Sequence, residues 1–294
     1  MDINFELYKI FYHAAKYKNF SDAAKQLFIS QSAVSQAIKN LEEKMGSTLF
    51  YRKSRSVELT QEGMLLFSHV EQAYNFLKTA ENKISQMQNM DCGEVRIGVS
   101  DTICKYYLIS YLGKFTQLFP KIKIQVVNRT SSQIIGALKN GLIDFGIATL
   151  PVNENGFNII DFIEVEDIFV ASYRYKELKG KKISLSELIK YPLLTLPRNS
   201  TTRVNLDSFL KTMNLSITPE IVLESVDLLI EFAKIGLGVS HVLKVSAFEA
   251  IEGHELFEIL TKETLPLRKL GIISMENVPL SNAANKFINH LCMK

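Results

Sequence analysis

The chain predicts an α/β protein with an all-α, winged amino-terminal part, on three observations. A short helix, a tight turn and a longer helix with one polar face open the sequence. Gly and Pro are then absent between Gly63 and Gly93 while apolar residues step at a 3.5-residue period. Beyond residue 93, strand-like and helix-like patterns alternate to the end.

The opening helix is Phe20-Ser21-Asp22-Ala23-Ala24-Lys25-Gln26-Leu27, with Ser21 as its expected cap and an alanine pair that permits close packing. Phe28 and Ile29 connect it to residues 30–46, where Val34, Ile38, Leu41 and Met45 recur at helical spacing and face a core. Ser32, Ser35, Gln36 and Lys39 recur on the opposite side. That second face is polar, short and mostly uncharged, suited to exchanging hydrogen bonds with base edges in a major groove, whereas a merely solvated face more often carries Glu/Lys pairs. This is the helix-turn-helix order, although an αα-hairpin that binds nothing shows the same periodicity. Residues 49–60 read as two extended segments around a basic turn, a wing that sets Arg52, Lys53 and Arg55 beside the second helix, where cations neutralise phosphates. Taken alone, such a turn is usually just a solvated loop, and it counts only because of its neighbour.

The succession Ser30-Gln31-Ser32-Ala33-Val34-Ser35, Ile38, Leu41-Glu42, Gly46, Leu49-Phe50, Arg52, Leu59-Thr60 and Gly63 resembles the winged helix-turn-helix signature of LysR-type transcriptional regulators. Met45 stands where Leu is common, a change that keeps a core position filled. The resemblance implies that Gln31, Ser32, Ser35 and Gln36 face the groove, with Ser21, Ser30, Lys39, Arg52 and Arg55 nearer the DNA backbone. Gln36 is the candidate for direct base readout, since its amide donates and accepts together, as adenine requires. The partner expected is double-stranded DNA.

From Gln61 onward, Leu66, Val70, Ala73, Leu77, Ala80, Ile84 and Met87 step alternately by four and three, the period of a coiled-coil seam. A helix over 61–89 would be roughly 43 Å long, too long for one small domain to cover, so a partner helix is the expected cover; a helix packed within its own chain is the alternative. A two-fold dimer would present two recognition helices to an interrupted inverted repeat. The sequence leaves homodimer and homotetramer both open.

The net charge of +3 makes any DNA footprint local: residues 1–60 hold nine Lys/Arg against six Asp/Glu. The amino terminus carries acids where a signal peptide needs bases, and no long uncharged apolar run follows. A cytoplasmic protein without a membrane partner is therefore expected. Cys92, Cys104 and Cys292 are odd in number and scattered, which argues against a disulfide framework and a zinc cluster. There is no paired-His ligand motif, phosphate loop or nucleophile elbow, so neither an enzyme nor a cofactor is expected.

After residue 92, Val95–Val99, 122–127 and 144–148 read as strands separated by helices over 108–119 and 134–140. This βαβαβ order predicts a parallel sheet covered on both faces. Residues 167–173, 193–196, 221–223 and 238–240 start a second set, and a strand over 269–274 with a helix over 282–291 returns to the first. Crossovers near Glu164 and Leu267 would hinge two α/β subdomains. The organisation expected is thus a winged head (1–60), a dimerisation linker helix (61–90) and an effector domain (91–294) whose subdomains are 93–164 with 268–294, and 165–267. The landmarks Leu138-Lys139-Asn140-Gly141-Leu142-Ile143-Asp144-Phe145-Gly146-Ile147 and Gly236-Leu237-Gly238-Val239 resemble the effector domain of the same family, itself similar to periplasmic solute-binding proteins. Gly236-x-Gly238 follows a helix and precedes a strand, the reverse of a dinucleotide fingerprint.

Ligands of such sheets sit beyond the carboxyl ends of strands, where helix amino ends point free amides outward. Ser100-Asp101-Thr102 and Pro197-Arg198-Asn199-Ser200-Thr201-Thr202-Arg203 occupy two such places. The second combines hydroxyls, a helix start and two guanidinium groups, which suits a carboxylate or another anion. Candidate effector contacts are Ser100, Thr102, Arg198, Ser200, Thr201, Thr202 and Arg203, with Arg129 and Thr149 on the opposite wall; a Ser/Thr-rich capping turn with solvated arginines is the alternative. Relatives often have Gly where Thr201 stands, which leaves the shape of that loop open. Cys104, beside Lys105 and near a helix start, is a candidate redox thiol, against the alternative of a small buried hydrophobe.

Overall fold

The computed structural model describes residues 3–52, 56–87, 93–152 and 154–293, which divide into two compact units. The first opens with α1 (Phe5–Tyr17), α2 (Phe20–Leu27) and α3 (Gln31–Met45), followed by a hairpin of β1 (Phe50–Arg52) and β2 (Val57–Leu59) and by the 27-residue α4 (Gln61–Met87). Val34, Ile38 and Leu41 of α3 are buried with Phe11, Phe20, Ala23, Ala24 and Phe50, as the helical spacing requires. The cap of α2 is Asn19, whose Oδ1 accepts from the amides of Ser21 (2.7 Å) and Asp22 (3.3 Å). Ser21, expected as the cap, lies inside the first turn and is exposed, because Asn19 already supplies the acceptor those amides need. Gly63 allows the hairpin to approach α4: a Cβ there would lie 2.1 Å from the Leu49 carbonyl oxygen.

The expected seam of α4 is divided. Leu66 and Val70 pack into the core formed with α1, whereas Ala73, Leu77, Ala80 and Ile84 are exposed. Tyr74 adds to the α1 contact by stacking on Tyr12 at 4.2 Å. Hence the first two turns of the predicted zipper are spent within the chain, against the apolar face of α1.

The second unit holds two mixed sheets. In the first, the strand order is β4 (Ile122–Asn128), β3 (Gly93–Val99), β5 (Phe145–Thr149), β13 (Arg268–Met275), β6 (Phe157–Val165). β3 runs parallel to β4 and β5, and β13 runs antiparallel to both neighbours. One face carries α5 (Asp101–Ile103), which passes through a π turn (Cys104–Leu108) into α6 (Ile109–Leu118), together with α12 (Asn282–Cys292). Phe115 and Phe287 meet there at 4.5 Å. The other face is covered by α7 (Ser131–Lys139) through Ile134 and Leu138.

The second sheet has the order β10 (Ile221–Val222), β9 (Leu193–Thr195), β11 (Val239–Leu243), β7 (Asp167–Ser172), β12 (Leu256–Thr261), β8 (Lys182–Ile183). Its helices are the short α8 (Leu185–Leu188), α9 (Thr201–Thr212), α10 (Val226–Lys234) and α11 (Lys244–Glu252). Leu206 and Leu210 of α9 belong to one core layer and Leu229 and Ala247 of α10 and α11 to the other, so both faces are covered.

The parallel arrangement expected of the βαβαβ run holds for β3, β4 and β5, and two later strands depart from it. The returning β13 is antiparallel within the first sheet, and β7 is antiparallel to both β11 and β12 in the second. The chain leaves one sheet after β6 and enters the other at Asp167, then comes back from β12 to the first at Arg268, so each crossing inserts a strand against the local direction. β6 and β12 were not expected. β6 is an edge strand with a register shift opposite Leu270/Gly271, which breaks the two-residue alternation that marks a half-buried strand. The helix expected over 108–119 begins earlier, at Asp101, where Ser100 caps it. Gly236, at φ +79°, turns α10 toward β11, so the Gly236-x-Gly238 pair serves a helix-to-strand turn.

Candidate functional site

In the amino-terminal unit, Ser30 caps α3, accepting from the Ala33 amide at 3.1 Å, with its Oγ 2.9 Å from Ser32 Oγ. Gln31, Ser32, Gln36 and Lys39 are exposed along one face and Ser35 is half-buried at its margin, so the groove-facing residues named from sequence lie together on the side opposite Val34, Ile38 and Leu41. Lys39 pairs with Glu43 one turn on at 3.7 Å, an exposed pair that leaves the ammonium accessible. Arg52 at the end of β1 is exposed and stands 3.6 Å from Glu42 and 6.0 Å from the Phe20 ring centroid, while Arg55 and Lys53 lie outside the described residues.

Sequence reasoning missed the part played by Glu42. Its Oε1 accepts from the amides of Leu49 (2.8 Å) and Phe50 (3.2 Å), and its Oε2 faces Arg52. One carboxylate therefore fastens β1 to α3. The signal was an acid on the helix margin eight residues before the strand, a spacing no local rule reads.

In the second unit, a cleft of about 330 Å³ opens between the two sheets. Ser100, Thr102, Arg129, Thr149, Ser200, Thr201 and Thr202, all named from sequence, line it; Asn128, Ser131, Gln133, Asn199, Glu224 and Arg268 join them. The amino ends of α7, α9 and α10 open on it, where helix dipoles favour negative charge. Ser200 caps α9 through the Arg203 amide (3.2 Å), and Thr201 Oγ1 donates to Ser131 Oγ at 3.1 Å, joining the two walls.

Two named residues are placed elsewhere. Arg203, 2% exposed, turns inward: its Nε donates to Asp207 at 2.7 Å and its Nη1 to Thr195 at 2.8 Å. The i,i+4 carboxylate satisfies the guanidinium inside the helix packing, so its charge does not reach the cleft. Arg198 is exposed and not among the lining residues. The arginine that does reach the cleft is Arg268, which sequence reasoning missed. Only 7% exposed, it pairs through Nε and Nη2 with both oxygens of Asp167, the latter at 2.7 Å. Next to this pair, burial pushes the His241 imidazole down to about 4, Asp167 opposing the shift and Arg268 and Arg203 adding to it.

Burial raises the Cys104 thiol, and Asp101 raises it further. Lys105, expected to lower it, instead gives its ammonium to Asp227 at 2.7 and 2.8 Å, an acid that also accepts from Tyr106 at 3.1 Å. The thiol thus has the character of a half-buried apolar residue rather than a reactive thiolate. Among the described residues no His/Cys/Asp/Glu group could hold a metal ion, and no helix is long and apolar enough to cross a membrane.

Comparison with known proteins follows the same division. Residues 5–64 match the family model described as a bacterial regulatory helix-turn-helix protein of the lysR family, and residues 88–292 match the LysR substrate binding domain. The transcriptional activator CmpR of Synechocystis sp. is 29% identical over 286 residues, covering 97% of this chain and 93% of its own. Among solved structures, full-length OxyR from Pseudomonas aeruginosa aligns with a TM-score of 0.72 at 18% identity, covering 100% of this chain and 96% of that one. CbnR complexed with its target DNA aligns at 0.70 and 19%, covering 99% of each. With both family models matched in order and together spanning most of its length, the chain belongs to the LysR family: it is a DNA-binding transcriptional regulator with an effector-binding domain, and not an enzyme.

Proposed function

We propose that the protein acts in the cytoplasm as a homodimer or higher homo-oligomer, reads an interrupted inverted repeat, and responds to a small anionic metabolite held in the cleft. The observation that carries the effector assignment is the convergence of three helix amino ends, a row of hydroxyls and Arg129 and Arg268 on one half-open cleft, which Asp101 and Glu224 also line. Such an arrangement offers hydroxyls, helix-end amides and guanidinium donors to a carboxylate, sulfate or phosphate without needing bulk charge. The volume suits a ligand at the small end of the usual range.

Dimerisation through α4 is supported by Leu77 and Ile84, large apolar residues that stand exposed along the distal half of the helix. A dimer sets two copies of the Gln31–Lys39 face at a fixed spacing, and the half-sites follow from it. That CbnR was solved on its target DNA supports the same use of the head here.

The test is filter binding of the full-length protein to promoter and scrambled duplexes, with and without sulfate, inorganic phosphate and small carboxylates, alongside sedimentation to establish the oligomer. Preference for an inverted repeat that one anion shifts by several-fold is the expected result. A monomer that binds all duplexes alike, unaltered by any anion, overturns the proposal.

A further inference from the structure

Arg268 and Asp167 hold matching positions. Asp167 is the first residue of β7, immediately after the chain crosses from the first sheet to the second; Arg268 is the first residue of β13, immediately after it crosses back. Their ion pair is buried, 7% and 6% exposed, and two-pronged, so it ties the two crossings to each other. A guanidinium carries five N–H donors in a rigid fork. Here Nε and one Nη2 hydrogen go to Asp167, the other Nη2 hydrogen reaches Thr202 of α9 at 3.4 Å, and one Nη1 hydrogen reaches Thr149 of β5 at 3.3 Å. One Nη1 hydrogen remains uncommitted among the described residues, on a side chain that lines the cleft. The two threonine contacts are long, and they come from opposite walls.

We propose that Arg268 binds the anion in the cleft and passes its presence to both sheets, with Asp167 as the competitor that sets how tightly. This rests on the reading of the cleft as an anion site. An anion seated between Thr149 and Thr202 replaces two weakly accepting threonine oxygens with one charged acceptor, and draws both walls toward a single guanidinium. Asp167 holds that guanidinium in place and also shares its charge, so weakening Asp167 frees positive potential for the ligand. Arg129, the other cation of the cleft, is exposed and donates to the Asn128 carbonyl within its own segment, which gives it no hold on the second sheet.

The pair therefore makes predictions of opposite sign for its two members, which a merely structural ion pair does not. In calorimetric titrations of the full-length protein with sulfate, inorganic phosphate and malonate, Arg268→Lys, which keeps the charge but loses the fork, weakens the best-bound anion about tenfold. Asp167→Asn tightens it several-fold, yet leaves DNA affinity insensitive to the anion, since the crossings are no longer tied. Thermal melts verify that each variant folds; should Asp167→Asn not fold, the doubly neutral Asp167→Asn/Arg268→Gln protein takes its place and loses anion binding altogether. If the wild type binds none of the three anions, the cleft reading falls and this inference with it. If the wild type binds one of them, and Thr201→Ala weakens it while both single variants bind within twofold of wild type or shift in the same direction, the cleft reading stands and the role of Arg268 is overturned.

Discussion

The burial of His241 makes the stability of the effector domain depend on pH. It is 3% exposed on β11, packed 4.8 Å from the Phe169 ring, and faces Asp167, Arg268, Arg203 and Asp207. Burial lowers its imidazole from 6.5 to about 4, so above pH 6.5 the ring is neutral in the folded and unfolded protein alike and no pH dependence arises. Between 6.5 and 4 the unfolded chain takes up a proton that the folded one refuses, and stability falls with pH. Linkage puts the loss at about 2 kcal/mol between pH 7 and pH 5. His241→Gln removes the titration while keeping a polar side chain of similar reach. Urea unfolding of both proteins at a series of pH values, followed by circular dichroism, isolates the effect as the difference between two curves in which the carboxylates common to both cancel. The wild type loses about 2 kcal/mol more than His241→Gln over that interval. Parallel curves would refute the reasoning, because they would mean that the imidazole is protonated in the fold or reached by water.

The remaining predictions concern the two sites. Gln36→Ala relaxes sequence preference, whereas Arg52→Ala weakens binding to every duplex and flattens its salt dependence; mobility shifts on specific and scrambled DNA at several ionic strengths separate the two. Glu42→Ala leaves the Leu49 and Phe50 amides without their acceptor, destabilises the head by about 1–3 kcal/mol and weakens DNA binding through the wing, measured by unfolding and mobility shift together. Arg203→Met strands the buried Thr195 hydroxyl and costs about 2 kcal/mol of stability, yet leaves the affinity for a cleft anion within twofold of wild type by calorimetry. Ser200→Ala removes the α9 cap and a hydroxyl of the cleft, lowering stability by about 1 kcal/mol and abolishing the effector response while sparing DNA binding.

What could be read in advance follows from the range of the interactions. The recognition helix was legible because its two faces are local: Val34, Ile38 and Leu41 declare the core, and Gln31, Ser32 and Gln36 the remainder. The hydroxyl-rich helix starts were legible for the same reason, since a cap and its helix are adjacent in sequence. Arg203 was misplaced because the loop preceding it looks outward. The readable sign was Leu206 and Leu210 on the same helical face, with Asp207 four residues on to satisfy a buried cation. Arg268 was invisible for a different reason: its partner lies 101 residues away, and neither has a local pattern to mark it. The α4 seam shows a third limit. A 3.5-residue period states that a stripe will be covered, but whether Leu66 and Val70 are covered by α1 or by another chain is decided by what lies nearest.

The single carboxylate of Glu42 has a consequence for which promoters suit this regulator. Because it accepts from the amides of Leu49 and Phe50 and faces Arg52, it fixes the start of the hairpin and Arg52 at a set distance from the exposed face of α3. On the proposal that α3 and Arg52 contact DNA, the duplex best bound is one whose groove and flanking phosphates match that spacing. Sites of identical letters but different groove width would then be sorted by their stiffness, at base pairs no side chain ever touches.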